Sequence, residues 1–139
     1  MFQEKAQAFV SLPAKEAAAT DLAGPIGEAL NDQGIQPVLG TDLSATGVMS
    51  DQILSAIRRA EFVVADVTGA SPNVLFEIGM ALGLSKPVLL LSQRPAKEMP
   101  FGLQMLQVAM YRPDDLATVR RYVEAWLRDV RTRRQSAAY

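Results

Sequence analysis

The stretch Phe62-Val63-Val64-Ala65-Asp66-Val67-Thr68-Gly69-Ala70-Ser71-Pro72-Asn73-Val74-Leu75-Phe76-Glu77-Ile78-Gly79-Met80-Ala81-Leu82-Gly83-Leu84 decides the fold. Its first four residues are a continuous apolar run leading into Asp66, as in a strand whose two faces are both covered by helices. Residues 67–70 read as a loop. Ser71-Pro72 then sets an N-cap residue before a proline at the first helical position, where a missing N–H does no harm. The helix runs to about Leu84, and Lys86-Pro87 ends it. A buried strand leading into an apolar helix is the repeating unit of a parallel α/β sheet.

The same alternation continues on both sides. Ala8-Phe9-Val10-Ser11, stopped by Pro13, predicts a buried first strand. Residues 20–33 predict a helix: Asp21 lies near its start, Leu22, Ile26, Ala29 and Leu30 follow helical spacing, and Gly34 caps its end. Gln36-Pro37-Val38-Leu39 is a second strand, placed near a sheet edge because Pro37 has no N–H to donate. Residues 40–49, rich in Gly, Ser and Thr, predict a loop. Ser50 is placed to cap a helix over 51–59, whose Ile53, Leu54 and Ile57 share one face. Residues 88–91 form a fourth strand and 107–111 a fifth. A last helix from about Asp114 carries Leu116, Val119, Val123, Trp126, Leu127 and Val130 on one stripe, which makes Trp126 a core residue. This order predicts an α/β fold: an open, parallel, five-stranded sheet with helices on both faces, flavodoxin-like in plan. With 139 residues and neither linker nor internal repeat, 1–139 is expected to form a single domain.

Composition narrows the chemistry. Fourteen Lys and Arg against 15 Asp and Glu leave a net charge of −1, which argues against a nucleic-acid or acidic-membrane partner. The absence of Cys excludes disulfides, thiolate nucleophiles and cysteine-held metals. The absence of His removes the usual general base, the Ser-His-Asp triad and imidazole metal sites, and no metal site is expected. Any catalysis rests on carboxylates, hydroxyls, amides, Lys or Arg. The polar start Met1-Phe2-Gln3-Glu4-Lys5 lacks the apolar run of a signal peptide, and no window approaches the ~18 apolar residues of a membrane span, so a cytoplasmic protein is expected. Arg120, Arg121, Arg128, Arg131, Arg133 and Arg134, offset by Glu124 and Asp129, read as a solvated helix face complementing the helix dipole.

In such sheets ligands bind outside the carboxyl ends of the strands. Ser11, Gly40-Thr41-Asp42, Asp66 and Ser92-Gln93 stand at those ends, although contact with water accounts for polarity at any one of them. Glu77 stands apart. Every other residue from Val74 to Leu84 is apolar or glycine. A helix apolar all round is expected to be buried, and a carboxylate inside it is costly unless partnered or raised in pKa. Lying in the second helical turn, Glu77 reads as a functional carboxylate facing the crevice. The alternative is a Glu paired with a buried Arg or capping a backbone amide. Asp66 is a candidate second carboxylate or the cap of its own loop; Asp51 falls in a first helical turn, where the dipole favours acids. Gly79 and Gly83 are expected to let the helix pack closely on the sheet.

From Asp66 to Ala81 the chain resembles the superfamily that joins nucleoside 2-deoxyribosyltransferases, related nucleotide N-glycosidases and Toll/interleukin-1 receptor (TIR) domains. The shared pattern is an apolar strand ending in Asp66, the Thr68-Gly69 turn, Pro72-Asn73-Val74, and Glu77-Ile78-Gly79-Met80-Ala81, followed by Gly83-Leu84-Ser85-Lys86-Pro87-Val88. Phe9-Val10-Ser11-Leu12-Pro13 and Met99-Pro100-Phe101-Gly102-Leu103 also fit, so the likeness spans residues 8–111. The resemblance implies cleavage of a ribose–base bond, with Glu77 as the catalytic residue attacking the anomeric carbon or stabilising the cationic sugar. An oxocarbenium-like centre does need a fixed negative charge on one face. Nicotinamide in NAD+ is already cationic and leaves without a general acid, which suits a chain without His. The resemblance further implies Ser11, Pro13, Asp42, Asp51, Asp66 and Asn73 as substrate-binding residues. NAD+ enters as substrate, with no separate cofactor. A homo-oligomer, a possible activating partner protein and a role in phage defence belong to the same expectation.

The chain also departs from the family pattern. Ala14 stands where many relatives have an aromatic residue, and residues 112–139 offer no equivalent of the transferases' C-terminal Asn. Their upstream catalytic Asp falls near Ile53, leaving Asp51 as its substitute in shifted register. Hydrolysis or cyclisation is therefore expected over transfer. Two alternatives remain: a nucleoside or nucleotide 2-deoxyribosyltransferase or deoxynucleotide hydrolase of salvage, and a non-catalytic nucleotide-binding or assembly module. In the latter Glu77 would accept a ribose hydroxyl and residues 40–49 would form a contact surface.

Overall fold

A computed structural model of the protein describes residues 4–13, 22–43, 49–99, 102–103 and 106–137. Five parallel strands, β1 (Ala6–Ser11), β2 (Ile35–Leu39), β3 (Phe62–Asp66), β4 (Val88–Ser92) and β5 (Val108–Met110), form one sheet in the order β2-β1-β3-β4-β5. Among the described residues five α-helices flank them: α1 (Ala23–Asp32), α2 (Gly40–Leu43), α3 (Met49–Arg59), α4 (Pro72–Gly83) and α5 (Leu116–Ala137). The α/β architecture with helices on both faces is the one expected. β2, with Pro37 inside it, is an edge strand, where a missing donor leaves no central ladder bond unmade.

Strand alternation builds two cores. Ala8, Val10, Val64, Leu89 and Leu91 pack with α1 and α5 around Leu30, Val119, Val123, Trp126 and Leu127. Their neighbours in the strands point the other way: Phe9 and Val63 meet Ile53, Ile57 and Ala81, while Ala65 and Leu90 meet Val74 and Ile78. Within β3 every residue is buried, so the continuous apolar run of the sequence serves both faces. Trp126 is 4% exposed and meets Phe62 edge-on at 6.0 Å.

Several local expectations change. The helix predicted over 20–33 is α1; its predicted first residues, Thr20 and Asp21, lie outside the described residues, and Gly34 takes the left-handed φ of +74° that ends it. Residues 40–49 are not simply a loop: Gly40–Leu43 is a short helix packed on β1 and β2, Met49 already belongs to α3, and 44–48 lie outside the described residues. Ser50 is therefore inside the first turn of α3 rather than its cap. Ser71 does precede α4 with Pro72 following, yet its side chain makes no cap hydrogen bond. The fifth strand is shorter than predicted, and α5 begins at Leu116 rather than near Asp114.

The largest departure is on α4. Only Val74, Glu77, Ile78 and Ala81 are buried, while Phe76 is 61% and Leu82 41% exposed. A side chain built on Gly79 or Gly83 would meet nothing within 4 Å, so these glycines do not serve helix-to-sheet packing. The helix has an apolar outer face, not a buried circumference. Charge gathers on the opposite side of the molecule. Arg120 there binds Glu28, Asp32 and Glu124, joining α1 to α5. Arg131 and Arg134 lie over the Phe62 ring at 5.8 and 5.1 Å. The arginine cluster is thus partly spent on internal contacts. Among the described residues no helix is long and apolar enough to cross a membrane.

Candidate active site

The order β2-β1-β3 places the switch point of the sheet between β1 and β3, because the chain leaves β1 toward α1 and leaves β3 toward α4, on opposite faces. Ser11 ends β1 on the α4 side. It is fully buried, and its Oγ–H donates to Oε2 of Glu77 at 2.6 Å. Glu77 is itself only 9% exposed and projects inward from the second turn of α4. Burial holds its carboxyl above the usual glutamate range, and the Ser11 hydrogen bond, which favours the charged form, offsets part of that rise. No Arg or Lys forms an ion pair with Glu77 among the described residues. The buried carboxylate is held by a neutral hydroxyl through Oε2.

Ser11→Ala isolates that single bond. The variant is expected to raise the Glu77 pKa further, since it removes the interaction that lowers it and leaves burial unopposed. A pH titration of the Glu77 carboxyl carbon by NMR checks the direction. A downward move would show that Ser11 does not stabilise the charged form.

Asp66 takes the second of its two expected places, as the cap of its own loop. It shares the face of Val64, the α1/α5 side, whereas Glu77 lies on the α4 side, so the two carboxylates do not converge. Oδ1 of Asp66 accepts the Thr68 N–H at 3.0 Å and the Thr68 hydroxyl at 2.6 Å; Oδ2 accepts the Tyr111 hydroxyl at 3.0 Å. Gln93 completes the network, with Nε2 donating to the Tyr111 oxygen at 3.2 Å and its backbone N–H donating to Thr68 Oγ1 at 3.0 Å. Burial, ahead of weaker opposing hydrogen bonds, pushes the Tyr111 phenol up and keeps it a donor. Asp66 thereby ties together the carboxyl ends of β3, β4 and β5. The Asp-x-Thr spacing of a side-chain-capped turn is a usable signal for Thr68, and Gln93 stands among the polar strand ends; Tyr111 leaves none.

The remaining candidates are spread around this end of the sheet. Pro13 is half-buried just after β1; Asp42 on α2, Asp51 in the first turn of α3 and Asn73 at the start of α4 are exposed. No hydrogen bond or ion pair among the described residues links any of them to Glu77. Asp51 lines a groove of about 380 Å³ with Gln7, Val38, Leu43, Ser55 and Arg59. That groove follows α3 toward Gln7, at the end of β1 opposite Ser11, and Glu77 does not line it. Glu77 and Asp51 therefore do not share this groove.

No protein-family model matches the chain, and no curated protein matches it in sequence. Solved structures match it in fold. A 2-deoxyribosyltransferase from Bacillus psychrosaccharolyticus superposes with a TM-score of 0.65 at 16% identity, covering 83% of this chain and 90% of its own. The TIR domain heterodimer of RPS4 and RRS1 gives a TM-score of 0.60 at 17% identity, over 93% and 97%. The CMP N-glycosidase BcmB of Clostridium botulinum gives 0.58 at 16% identity, over 81% and 97%. At these identities the likeness is one of fold. The fold implied by the motif from Asp66 to Ala81 is the fold the chain has, and two of these three neighbours are enzymes that act on N-glycosidic bonds.

Proposed function

We propose that the chain cleaves the N-glycosidic bond between a ribose and a base in a nucleotide, with NAD+ the leading substrate and Glu77 the catalytic residue. One observation carries this: a lone carboxylate, buried at the switch point of the sheet, is held by Ser11 through one oxygen. As the C1′–N bond breaks, its electron pair leaves with the base and positive charge grows on the sugar. A carboxylate on the opposite face stabilises that charge, or bonds to C1′ through Oε1 until water replaces it. In hydrolysis of NAD+ the water oxygen bonds to C1′, nicotinamide departs neutral, and one proton is released to solvent. No general acid is required, in keeping with a chain that lacks His.

The test is a panel of NAD+, ribonucleosides, deoxyribonucleosides and their 5′-monophosphates, with released base read by mass spectrometry. Nicotinamide release supports the reading. Base release confined to deoxynucleosides or their phosphates supports the salvage alternative, which the fold likeness to a 2-deoxyribosyltransferase favours. Silence across the panel, with and without a bacterial partner extract, leaves a nucleotide-binding or assembly module.

Self-association is part of the same proposal, as is a cytoplasmic, defence-related role switched on by assembly or by a partner protein. The outer face of α4 is its natural contact: Phe76 and Leu82 are exposed beside Gly79 and Gly83, and no charged residue of this helix faces outward. About a two-fold axis near Gly79, each Phe76 would meet the glycines of the other copy, so the face complements itself. Light scattering is expected to give a multiple of the 15.1 kDa chain mass, reduced by Phe76→Lys. A strict monomer that turns over substrate would overturn it.

A further inference from the structure

We propose that Gly40 is a positioning residue for Glu77, seating its carboxylate against Ser11 because no side chain stands at the carboxyl end of β2. This rests on the catalytic reading of Glu77 for its consequence, but not for its physical test. Gly40 is buried and is the first residue beyond β2. A Cβ added there would lie 2.9 Å from Cζ of Phe9, 3.3 Å from Oε2 of Glu77 and 3.4 Å from Oε1. Both carboxylate oxygens therefore border the space that a side chain at this position would fill. The demand for glycine is one of space, and it contrasts with Gly79 and Gly83, around which there is open room.

Which neighbour yields to a methyl group decides the outcome. The Phe9 ring is fully buried among Ile53, Ile57 and Val63, where close packing leaves no free volume to retreat into. The Glu77 carboxylate is the end of a flexible side chain, and its described tether is the single bond from Ser11. The 2.9 Å approach to the ring has to be relieved by a shift of the Gly40 backbone, and the carboxylate, at 3.3 and 3.4 Å, gives way with it. Displaced from Gly40, the carboxylate loses burial together with the Ser11 hydrogen bond. Burial is the larger cause of its raised pKa, so losing both lowers it, whereas losing Ser11 alone raises it. A shift of about 1 Å in a catalytic group can cost about 10²-fold in rate. The other carboxylates on the surrounding elements are Asp42 on α2, Asp51 on α3 and Asp66 at the end of β3. None of them contributes to the Glu77 shift, which burial and Ser11 alone produce. The titration of Glu77 is thus a direct gauge of its seating.

The test is Gly40→Ala in the full chain, read first by the NMR titration of the Glu77 carboxyl carbon, which needs no substrate. The expected result is a folded protein whose Glu77 titrates closer to an ordinary glutamate, with any base release reduced about 10²-fold. A merely structural loss would lower the folded or active fraction without moving this titration. An unmoved titration in folded Gly40→Ala overturns the inference, whether or not a substrate is known. If Gly40→Ala does not fold, the same change on Glu77→Ala decides: folding restored by removing the carboxylate supports the contact, and failure of both assigns the cost to Phe9 and overturns it. Absence of base release from the parent protein would defeat the proposed function while leaving the titration to judge Gly40.

Discussion

Glu77→Gln is expected to lower base release by at least about 10³-fold, with the protein folded and substrate still bound. Gln has nearly the shape of Glu, and its carbonyl oxygen can still accept the Ser11 hydroxyl, so the cradle of Ser11, Phe9 and Gly40 is left in place. What disappears is the negative charge facing the sugar and the oxygen able to bond to C1′. Mass spectrometry of released base, with parent and variant side by side at high protein concentration, provides the measurement. Equal release from both would remove Glu77 from the chemistry and with it the proposed mechanism.

The same substitution has a second signature, in stability. Burial raises the Glu77 pKa in the folded chain above its unfolded value. Between those two values the folded chain binds more protons than the unfolded one, so stability falls as pH rises through that window, and the penalty persists above it. Glu77→Gln abolishes this titration. The variant is expected to be at least as stable as the parent at neutral pH, with the difference shrinking in acid once both side chains are neutral. Stability gained where activity is lost is the mark of a functional group held against its own solvation. Activity of the parent should fall on the acid side at a pH above the usual glutamate range, because the working form is ionised.

The second large effect is expected at Asp66, and it is structural. Asp66→Ala leaves the Thr68 N–H, the Thr68 hydroxyl and the Tyr111 hydroxyl without their shared acceptor at the junction of three strands. Unsatisfied buried donors cost about 1–3 kcal/mol each, and partial access to water reduces the sum to roughly 2–4 kcal/mol. For a chain of this length that lowers the melting temperature by about 10 °C. Asp66→Asn keeps one acceptor oxygen and should lose about 1 kcal/mol. Urea unfolding of the three proteins measures both losses. A fully stable Asp66→Ala that releases no base would instead return Asp66 to the substrate site, as the motif implies.

Much of this was legible beforehand, and the reasons are local. The strand Phe62–Asp66 reads correctly because four apolar residues in a row before Asp66 have only one economical use, burial on both sides. Pro72 marks the start of α4 because its fixed φ suits a first turn and little else. Gly40–Leu43 was not legible as a helix: Gly, Thr and Asp have weak helical preference, and packing on β1 and β2 holds the turn together. The outer face of α4 departs from expectation for the same kind of reason. Apolar character states what a residue gains from burial, not whether another element stands in front of it.

The order of strands and helices, the carboxyl ends where polar residues gather, and the anomaly of one carboxylate in an apolar helix are all written in the amino-acid order. These follow from periodicities of two and 3.6 residues and from single-residue backbone rules, which act over a few positions. The tertiary structure decided which carboxylate works with which partner. Alternation says that Asp66 shares a face with Val64 and that Ser11 shares one with Phe9, but not which of those faces α4 covers. That depends on the crossovers, which set α1 and α5 on one side and α3 and α4 on the other. Ser11 and Gly40, 66 and 37 residues away from Glu77 in the chain, therefore became its neighbours. Asp66, only 11 residues away, became part of another network.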